Sequence, residues 1–78
     1  MAKLVFLGRL EDLAGAPEIE VPEGPLAEIL AGLDPRLAAA LIGERIRIAH
    51  NGALVSESGG VTLAAGDEVA FLPPVSGG

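Results

Sequence analysis

Two apolar runs near the two ends of the chain dominate its hydrophobic pattern. Residues 3–8 contain Leu, Val, Phe and Leu in succession, and residues 69–72 contain Val, Ala, Phe and Leu. Continuous apolar runs are typical of strands with both faces covered at least in part. Pro73 and Pro74 follow the second run, and proline has no N–H to donate to a neighbouring strand. The pattern predicts a first and a last strand at these runs, after which the chain leaves the sheet in extended form.

One segment between these runs has the periodicity of an amphipathic helix. Its apolar side chains recur at three- and four-residue spacing and form one stripe, which comprises Leu26, Ile29, Leu30 and Leu33. Pro25 suits the first helical position, and Gly32 is a plausible stop. This segment is predicted to be the main helix.

Shorter helical signals flank the main helix. Asp34 and Pro35 suit the N-cap and first position of a second, shorter helix, which is predicted to end at Gly43. Residues 9–15 are predicted to be a connector with room for one helical turn, ended by Gly15.

The other strands follow from alternation and turn signals. Residues 18–21 alternate acidic and apolar side chains, which predicts a half-exposed edge strand. Residues 45–49 also alternate, and Asn51-Gly52 predicts a tight hairpin turn into a return strand at 53–55. A polar glycine-rich loop and a short bridge to the last strand are predicted for residues 56–60 and 61–63.

This order of elements favours an α+β fold of the β-grasp type. We expect a mixed sheet of about five strands wrapped around one main helix, with a short second helix beside it. The first and last strands should be parallel neighbours at the sheet centre, because the intervening helix supplies the crossover that a parallel pair requires. Residues 1–72 would form the domain, and residues 73–78 an extended C-terminal tail that ends in Gly-Gly.

The pattern also divides the sheet into two faces. We expect one core between sheet and helix, to which these residues contribute: Leu4, Phe6, Ile29, Leu30, Leu33, Ile46, Ile48, Val69 and Phe71. Apolar residues on the other face of the central strands should stay partly open: Val5 or Leu7 with Ala70 or Leu72. A partner surface and ordinary cover by loops both explain such a face.

Composition narrows the possible functions. The chain has 78 residues and a net charge of −6, which argues against nucleic-acid binding. It has no cysteine, and therefore no disulfide, no thiol nucleophile and no zinc-ligand spacing. No apolar run approaches the length of a membrane span, and the N-terminus does not have the form of a signal peptide. We expect a cytoplasmic protein that binds no metal.

Few residues are candidates for internal catalysis. His50 is the one histidine, and its sequence neighbours do not form a dyad, so a structural role beside the turn is favoured. Asp67 and Glu68 could be paired carboxylates, but neighbours on a strand point apart, so turn chemistry explains them better. Gly59-Gly60 lacks the lysine of a phosphate loop. Arg45 and Arg47 fit a solvated strand face or a contact with acidic groups of a partner.

The C-terminal tail is the remaining candidate site. It is either a tolerant terminus or an arm that delivers its own carboxylate. Two consecutive prolines reduce the entropy that an arm loses when it inserts into a partner. Gly77 and Gly78 have no Cβ, so they suit a narrow channel and leave the carboxylate open to attack.

Three segments resemble the MoaD family, the small subunit of molybdopterin synthase. Residues 66–78, Gly-Asp-Glu-Val-Ala-Phe-Leu-Pro-Pro-Val-Ser-Gly-Gly, resemble the C-terminus of that family, and residues 3–15 resemble its opening. Val-Pro-Glu-Gly at residues 21–24 resembles its segment before the helix. The resemblance spans essentially the whole chain, and it is strong at the C-terminus and looser in the middle.

The chain departs from the family pattern at two places. The family usually has an Arg-Glu pair where this chain has Glu11-Asp12, which leaves open whether Arg9 replaces the basic residue. The family strand before the asparagine usually reads Val-Ala-Val-Asn, whereas residues 48–51 read Ile-Ala-His-Asn.

The resemblance implies a ubiquitin-like sulfur carrier that is not an enzyme on its own. An E1-like adenylating enzyme would use ATP to activate the carboxylate of Gly78, and sulfur from a sulfurtransferase would convert it to a thiocarboxylate. The large subunit of molybdopterin synthase would receive the tail, and the sulfur would be donated to the pterin precursor there. The resemblance also implies that the chain itself binds no cofactor. The partner-binding tail that it implies comprises Phe71, Leu72, Pro73, Pro74, Val75, Ser76 and Gly77.

Three alternatives are open. A sulfur carrier of the thiamine pathway shares the fold and the Gly-Gly end, although its tail usually lacks the Phe-Leu-Pro-Pro-Val stretch. A ubiquitin-like modifier would be joined to lysines of other proteins through Gly78. A non-covalent binding module would use the folded domain alone.

Overall fold

The computed structural model describes residues 1–43, 45–55 and 60–74. Its elements in chain order are β1 (Ala2–Phe6), α1 (Arg9–Ala14), β2 (Glu18–Val21), β3 (Gly24–Pro25), α2 (Leu26–Ala31), α3 (Pro35–Leu41), β4 (Arg47–His50), β5 (Ala53–Val55), β6 (Thr62–Leu63) and β7 (Glu68–Leu72). In the described ranges, no helix is long and apolar enough to cross a membrane.

The main sheet has five strands in the order β2-β1-β7-β4-β5. The strands β1 and β7 are parallel neighbours, with Leu4 opposite Val69 and Phe6 opposite Phe71. The other pairs in this sheet are antiparallel. The predicted β-grasp arrangement is confirmed, with the two terminal strands beside each other and β2 at one edge.

The core lies between one face of this sheet and the helices. Phe6 and Phe71 stack at its centre, with ring centroids 6.0 Å apart and an angle of 17° between the rings. The other fully buried large side chains are Leu4, Leu26, Leu41, Leu63 and Val69.

Two of the expected core residues are only half-buried, which corrects the prediction for them. Leu33 lies beyond the end of α2, and Ile46 lies in the turn before β4, so neither is held against the sheet by a regular element. Both still pack against the edge of the core.

The start of α2 also differs from the prediction. Pro25 is extended, with φ −62° and ψ 133°, and it precedes the helix instead of opening it. Gly24 and Pro25 pair with Leu63 and Thr62 in a second, two-stranded sheet that the sequence pattern did not reveal. The N–H of Leu26 then donates to the carbonyl of Val61 at 2.9 Å, so this pairing holds the helix start.

The other helix ends follow their sequence signals more closely. The side chain of Asp34 accepts a hydrogen bond of 2.8 Å from the N–H of Arg36, which confirms it as the N-cap of α3. Ile42 caps that helix, which ends before the predicted Gly43. With seven residues α3 is longer than α2, which has six, so the prediction that the second helix is the shorter one is wrong. The connector after β1 forms a complete short helix, and Gly15 ends it in the left-handed conformation.

The predicted hairpin joins β4 and β5. Asn51 and Gly52 have φ angles of 50° and 86°, the left-handed values that a tight two-residue turn requires. The strand β4 begins at Arg47, two residues later than predicted, because a turn bond from Ile46 N–H to the carbonyl of Gly43 occupies the preceding segment.

Asp67 connects this hairpin to the turn before β7. Its carboxylate accepts hydrogen bonds from Ala64 N–H at 2.9 Å and from Asn51 Nδ2 at 3.1 Å, and His50 Nε2 lies 3.0 Å away. The backbone N–H of Ala64, followed by the side chains of His50 and Asn51, lowers the pKa of Asp67 from 3.8 to about 2. These contacts agree with the predicted structural roles of His50 and Asp67.

Replacement of Phe71 by alanine tests the core. Phe71 is fully buried and stacked on Phe6, so Phe71→Ala should lower the free energy of unfolding by about 3–5 kcal/mol. The matched control is Leu54→Ala, because Leu54 is 67% exposed. Its effect should stay within about 0.5 kcal/mol. Urea denaturation measures both, and similar losses from the two variants would contradict the assigned core.

The acid stability of the domain tests the role of Asp67. Because folding lowers the pKa of this carboxyl from 3.8 to about 2, its contribution to stability is complete above about pH 4 and is lost as the pH falls towards 2. Asp67→Asn should therefore flatten the fall in melting temperature over that range. Asp12→Asn, at an exposed position of α1, is the control. Parallel pH profiles for the wild type and Asp67→Asn would rule out this role.

Candidate functional site

The predicted tail leaves the sheet from its centre. The strand β7 ends at Leu72, and Pro73 and Pro74 follow outside any strand and are half-buried. Val75, Ser76, Gly77 and Gly78, including the predicted reactive carboxylate, lie outside the described residues. The structure therefore locates the base of the arm.

Phe71 does not belong to the partner-binding tail, which corrects that part of the prediction. Side chains alternate along β7, so Val69 and Phe71 are buried in the core. Ala70 and Leu72 point to the opposite face and are half-buried. A partner that receives the arm can contact Leu72 and the residues after it, whereas the side chain of Phe71 packs in the core and stabilises the fold.

Gly8 forms part of the base of the arm, a role that sequence reasoning missed. Its φ of 57° and ψ of −136° suit glycine, and a Cβ at this position would stand 3.0 Å from Pro73 Cγ. The close approach lets Pro73 lie against the chain just beyond β1. In the sequence, Gly8 was recognisable only as the end of an apolar run, because the contact joins residues 65 positions apart.

The face of the sheet away from the core is apolar at its centre. Val5, Ala70 and Ala49 lie side by side on the three central strands, and all three are half-buried. Leu7 is 41% exposed, and its N–H donates to the carbonyl of Phe71, which places it beside Leu72. Val5, Leu7, Ala70 and Leu72 match the predicted open face, to which the structure adds Ala49. We call the set Val5, Leu7, Ala49, Ala70 and Leu72 the open face.

Leu54 extends the open face to the sheet edge. It pairs with Ala49 on β5 and is 67% exposed. The sequence pattern identified its strand but not its exposure, because a three-residue strand is too short for alternation to define the buried side.

The residues that the sequence offered as candidates for internal catalysis lie away from the arm. His50 and Asp67 lie at the end of the sheet opposite the arm, because His50 pairs with Val69 near the start of β7. Glu68 lies beside them and its side chain is exposed. The backbone N–H of Glu68 donates a hydrogen bond of 2.9 Å to Asn51 Oδ1. In residues 1–43, 45–55 and 60–74, no group of three or more His, Cys, Asp or Glu side chains could hold a metal ion.

A β-grasp domain with an arm leaving its central C-terminal strand defines the class of ubiquitin-like proteins. Within that class, the chain belongs to the ThiS family, whose model matches residues 4–78.

Three similar proteins illustrate this membership. The molybdopterin synthase sulfur carrier subunit of Escherichia coli (strain K12) is 39% identical over 83 aligned residues that cover 100% of both chains. The protein of the same name from Drosophila melanogaster is 32% identical, over 96% of this chain and 88% of that one. The small archaeal modifier protein 1 from Methanosarcina acetivorans has a solution structure that matches with a TM-score of 0.79 at 26% identity, over 99% of this chain and 95% of that chain. The resemblance to the small subunit of molybdopterin synthase is confirmed.

Proposed function

We propose that this chain is the sulfur carrier of a molybdopterin synthase and donates sulfur from a thiocarboxylate at Gly78. The observation that carries the proposal is the 39% identity, over the full length of both chains, with a protein named for that role. The position of the arm supports it, because Pro73 leaves the sheet beside an open apolar face on which a partner could dock.

The chemistry requires two steps at one carbon atom. An E1-like adenylating enzyme would join the Gly78 carboxylate to AMP from ATP, with release of pyrophosphate. The outer sulfur of a sulfurtransferase persulfide would then attack the acyl carbon and displace AMP, and a thiol reductant would cleave the resulting acyl disulfide to leave a thiocarboxylate. The chain has no cysteine, so the terminal carboxylate is the position where it could hold sulfur covalently.

The residues of the arm suit this delivery. Pro73 and Pro74 restrict the backbone, so the arm loses less entropy when it enters a channel. Gly77 and Gly78 bring no side chains to the reacting carbon. The chain itself would bind no cofactor and no metal, and ATP would be bound by the activating enzyme.

The open face would be the docking surface for the large subunit of the synthase. A contiguous patch of apolar side chains that remains partly exposed on a small domain marks a site of contact with another protein. Docking there would place the partner beside Leu72 and Pro73, where the arm begins. We expect these encounters to take place in the cytoplasm.

A second candidate function is protein modification. It is favoured by the match to the small archaeal modifier protein 1, at a TM-score of 0.79. A carrier in the thiamine pathway remains the other alternative of the sulfur-carrier class. Whole-protein mass spectrometry after incubation with ATP, the adenylating enzyme and a sulfur source separates carrier from modifier. Replacement of one oxygen by sulfur marks a carrier, conjugates to other proteins mark a modifier, and an unchanged mass contradicts both.

Changes in arm length test the role of Gly78. Deletion of Gly78 shortens the arm by roughly 3.3 Å and should abolish sulfur transfer to the pterin precursor. Addition of one alanine after Gly78 should be equally damaging, because the activated carbonyl would then belong to a residue with a side chain. The melting temperatures should stay near that of the wild type, since the arm begins after the last strand of the core. Near-normal sulfur transfer by either variant would refute the carrier proposal.

A charge on the open face tests the docking surface. Leu7→Glu should raise the Kd for the large subunit at least tenfold, a change of about 1.4 kcal/mol, because the carboxylate would lose water on docking. Ala27→Glu is the matched control, since it adds the same charge at an exposed position of α2, on the helix side of the core and away from the open face. Calorimetric titration measures both. An unchanged Kd for Leu7→Glu would remove support for docking on this face.

A further inference from the structure

Three of the five basic residues lie in chain segments next to the base of the arm. Arg47 pairs with Leu72, the last residue of β7, and so points to the open face where the arm leaves. Arg9 directly follows Gly8, where an added Cβ would meet Pro73, and Arg45 precedes β4 by two residues. All three are exposed. We call Arg9, Arg45 and Arg47 the arginine collar.

Within the described part of the chain, the arginine collar has no acidic partners, although the protein is rich in acidic residues. The chain has 11 Asp and Glu residues against 5 Lys and Arg residues. Lys3 lies 3.0 Å from Glu18, and the N-terminal amine lies 3.7 Å from Glu23. In the same ranges, no carboxylate oxygen lies within 4.0 Å of the guanidinium groups of the collar. Within the described residues, the three guanidinium groups at the arm are therefore not neutralised by an ion pair.

The opposite end of the same face is acidic. Lys3 lies there between Glu20 on β2 and Glu68 on β7, and Glu18 lies beside Val5 on the same edge strand. Three carboxylates thus surround one ammonium at this end, and the nearby carboxylates raise the pKa of Lys3, chiefly through its hydrogen bond to Glu18. The open face is therefore apolar at its centre, negative at one end and positive at the arm.

From this distribution we propose that the arginine collar docks on acidic side chains that rim the channel of the partner that receives the arm. Such a contact would fix the orientation of docking, because the reversed orientation would place Glu20 and Glu68 against the same acidic rim. A correctly oriented carrier has its arm at the mouth of the channel. The inference rests on the proposed function in one respect, that a partner receives the arm.

Protein carboxylates fit the collar better than the phosphates of a nucleotide. The collar lies at Leu72 and Pro73, whereas the reacting carbon of Gly78 is five residues beyond Pro73. When the arm is extended into a channel, five residues span up to ~16 Å, so an adenylate on Gly78 would be too distant. The planar guanidinium group is also suited to paired hydrogen bonds with carboxylates at an interface.

The test compares two charge reversals of equal size. Arg47→Glu and Arg36→Glu each replace +1 by −1, so each takes the net charge from −6 to −8. Arg36 is exposed in the first turn of α3, away from the sheet face, and its backbone bond to Asp34 does not depend on its side chain. Binding to the large subunit from the same genome is measured by stopped flow and calorimetry at low and high salt, with melting temperatures as a check on folding.

We expect Arg47→Glu to raise the Kd at low salt about tenfold or more, with much of the loss in the association rate, and the loss should shrink at high salt. Arg36→Glu should stay within about twofold of the wild type, because surface charges far from the contact are screened. Equal losses from the two variants would assign the effect to net charge and overturn the proposal. Unchanged or tighter binding of Arg47→Glu would overturn it as well.

Two further measurements separate this proposal from its alternatives. Titration of the wild type with ATP and with pyrophosphate, followed by NMR, should leave the resonances of the collar unmoved. Saturable shifts that Arg47→Glu abolishes would assign the collar to phosphate and overturn the proposal. Failure of the wild type itself to bind the large subunit or to gain sulfur would instead refute the proposed function.

Discussion

The parallel pairing of β1 with β7 is the constraint on which the rest of the structure depends. It places the two ends of the chain at the sheet centre, with Phe6 and Phe71 stacked on the core face. A parallel pair needs a long crossover, and the helices that supply it cover the same face. The opposite face is left open. Because β7 is central, it is hydrogen-bonded to a strand on each side. A partner could therefore bind the arm without exposing a sheet edge.

The alternation of side chains along β7 separates folding from recognition. Phe71 is buried, and Leu72, its neighbour, lies on the open face. Sequence reasoning grouped both with the tail because family motifs are read as continuous segments, whereas a strand assigns successive residues to opposite faces. The backbone of the arm therefore begins after Leu72. The side chain of Leu72 already lies on the open face, whereas the side chain of Phe71 belongs to the core. A variant at 71 would report on stability, and a variant at 72 would report on docking.

Local signals predicted most of the fold. The Asp34 cap, the Asn51-Gly52 turn and the apolar runs each specify structure through nearby residues, and the structure contains all of them. The missed features join distant residues: the pairing of Pro25 with Thr62 and the approach of Gly8 to Pro73. At Pro25, the pairing with Thr62 overrides the preference of proline for the first position of a helix. Neither contact has a sequence period, so the arm could be recognised from the sequence while its base could not.

The distribution of side-chain size on the open face bears on the proposed function, in which the carrier would have to leave one partner before it meets the next. The centre of the face is shallow, since Ala49 and Ala70 lie beside Val5, and alanine contributes little to binding at interfaces. The larger side chains, Leu7 and Leu72, lie at the arm. Docking energy should therefore concentrate where the arm enters the partner, because only there can apolar burial, the arginine collar and the inserted backbone act together. Withdrawal of the arm would remove much of that energy at once, so release would follow from the same geometry that makes docking specific.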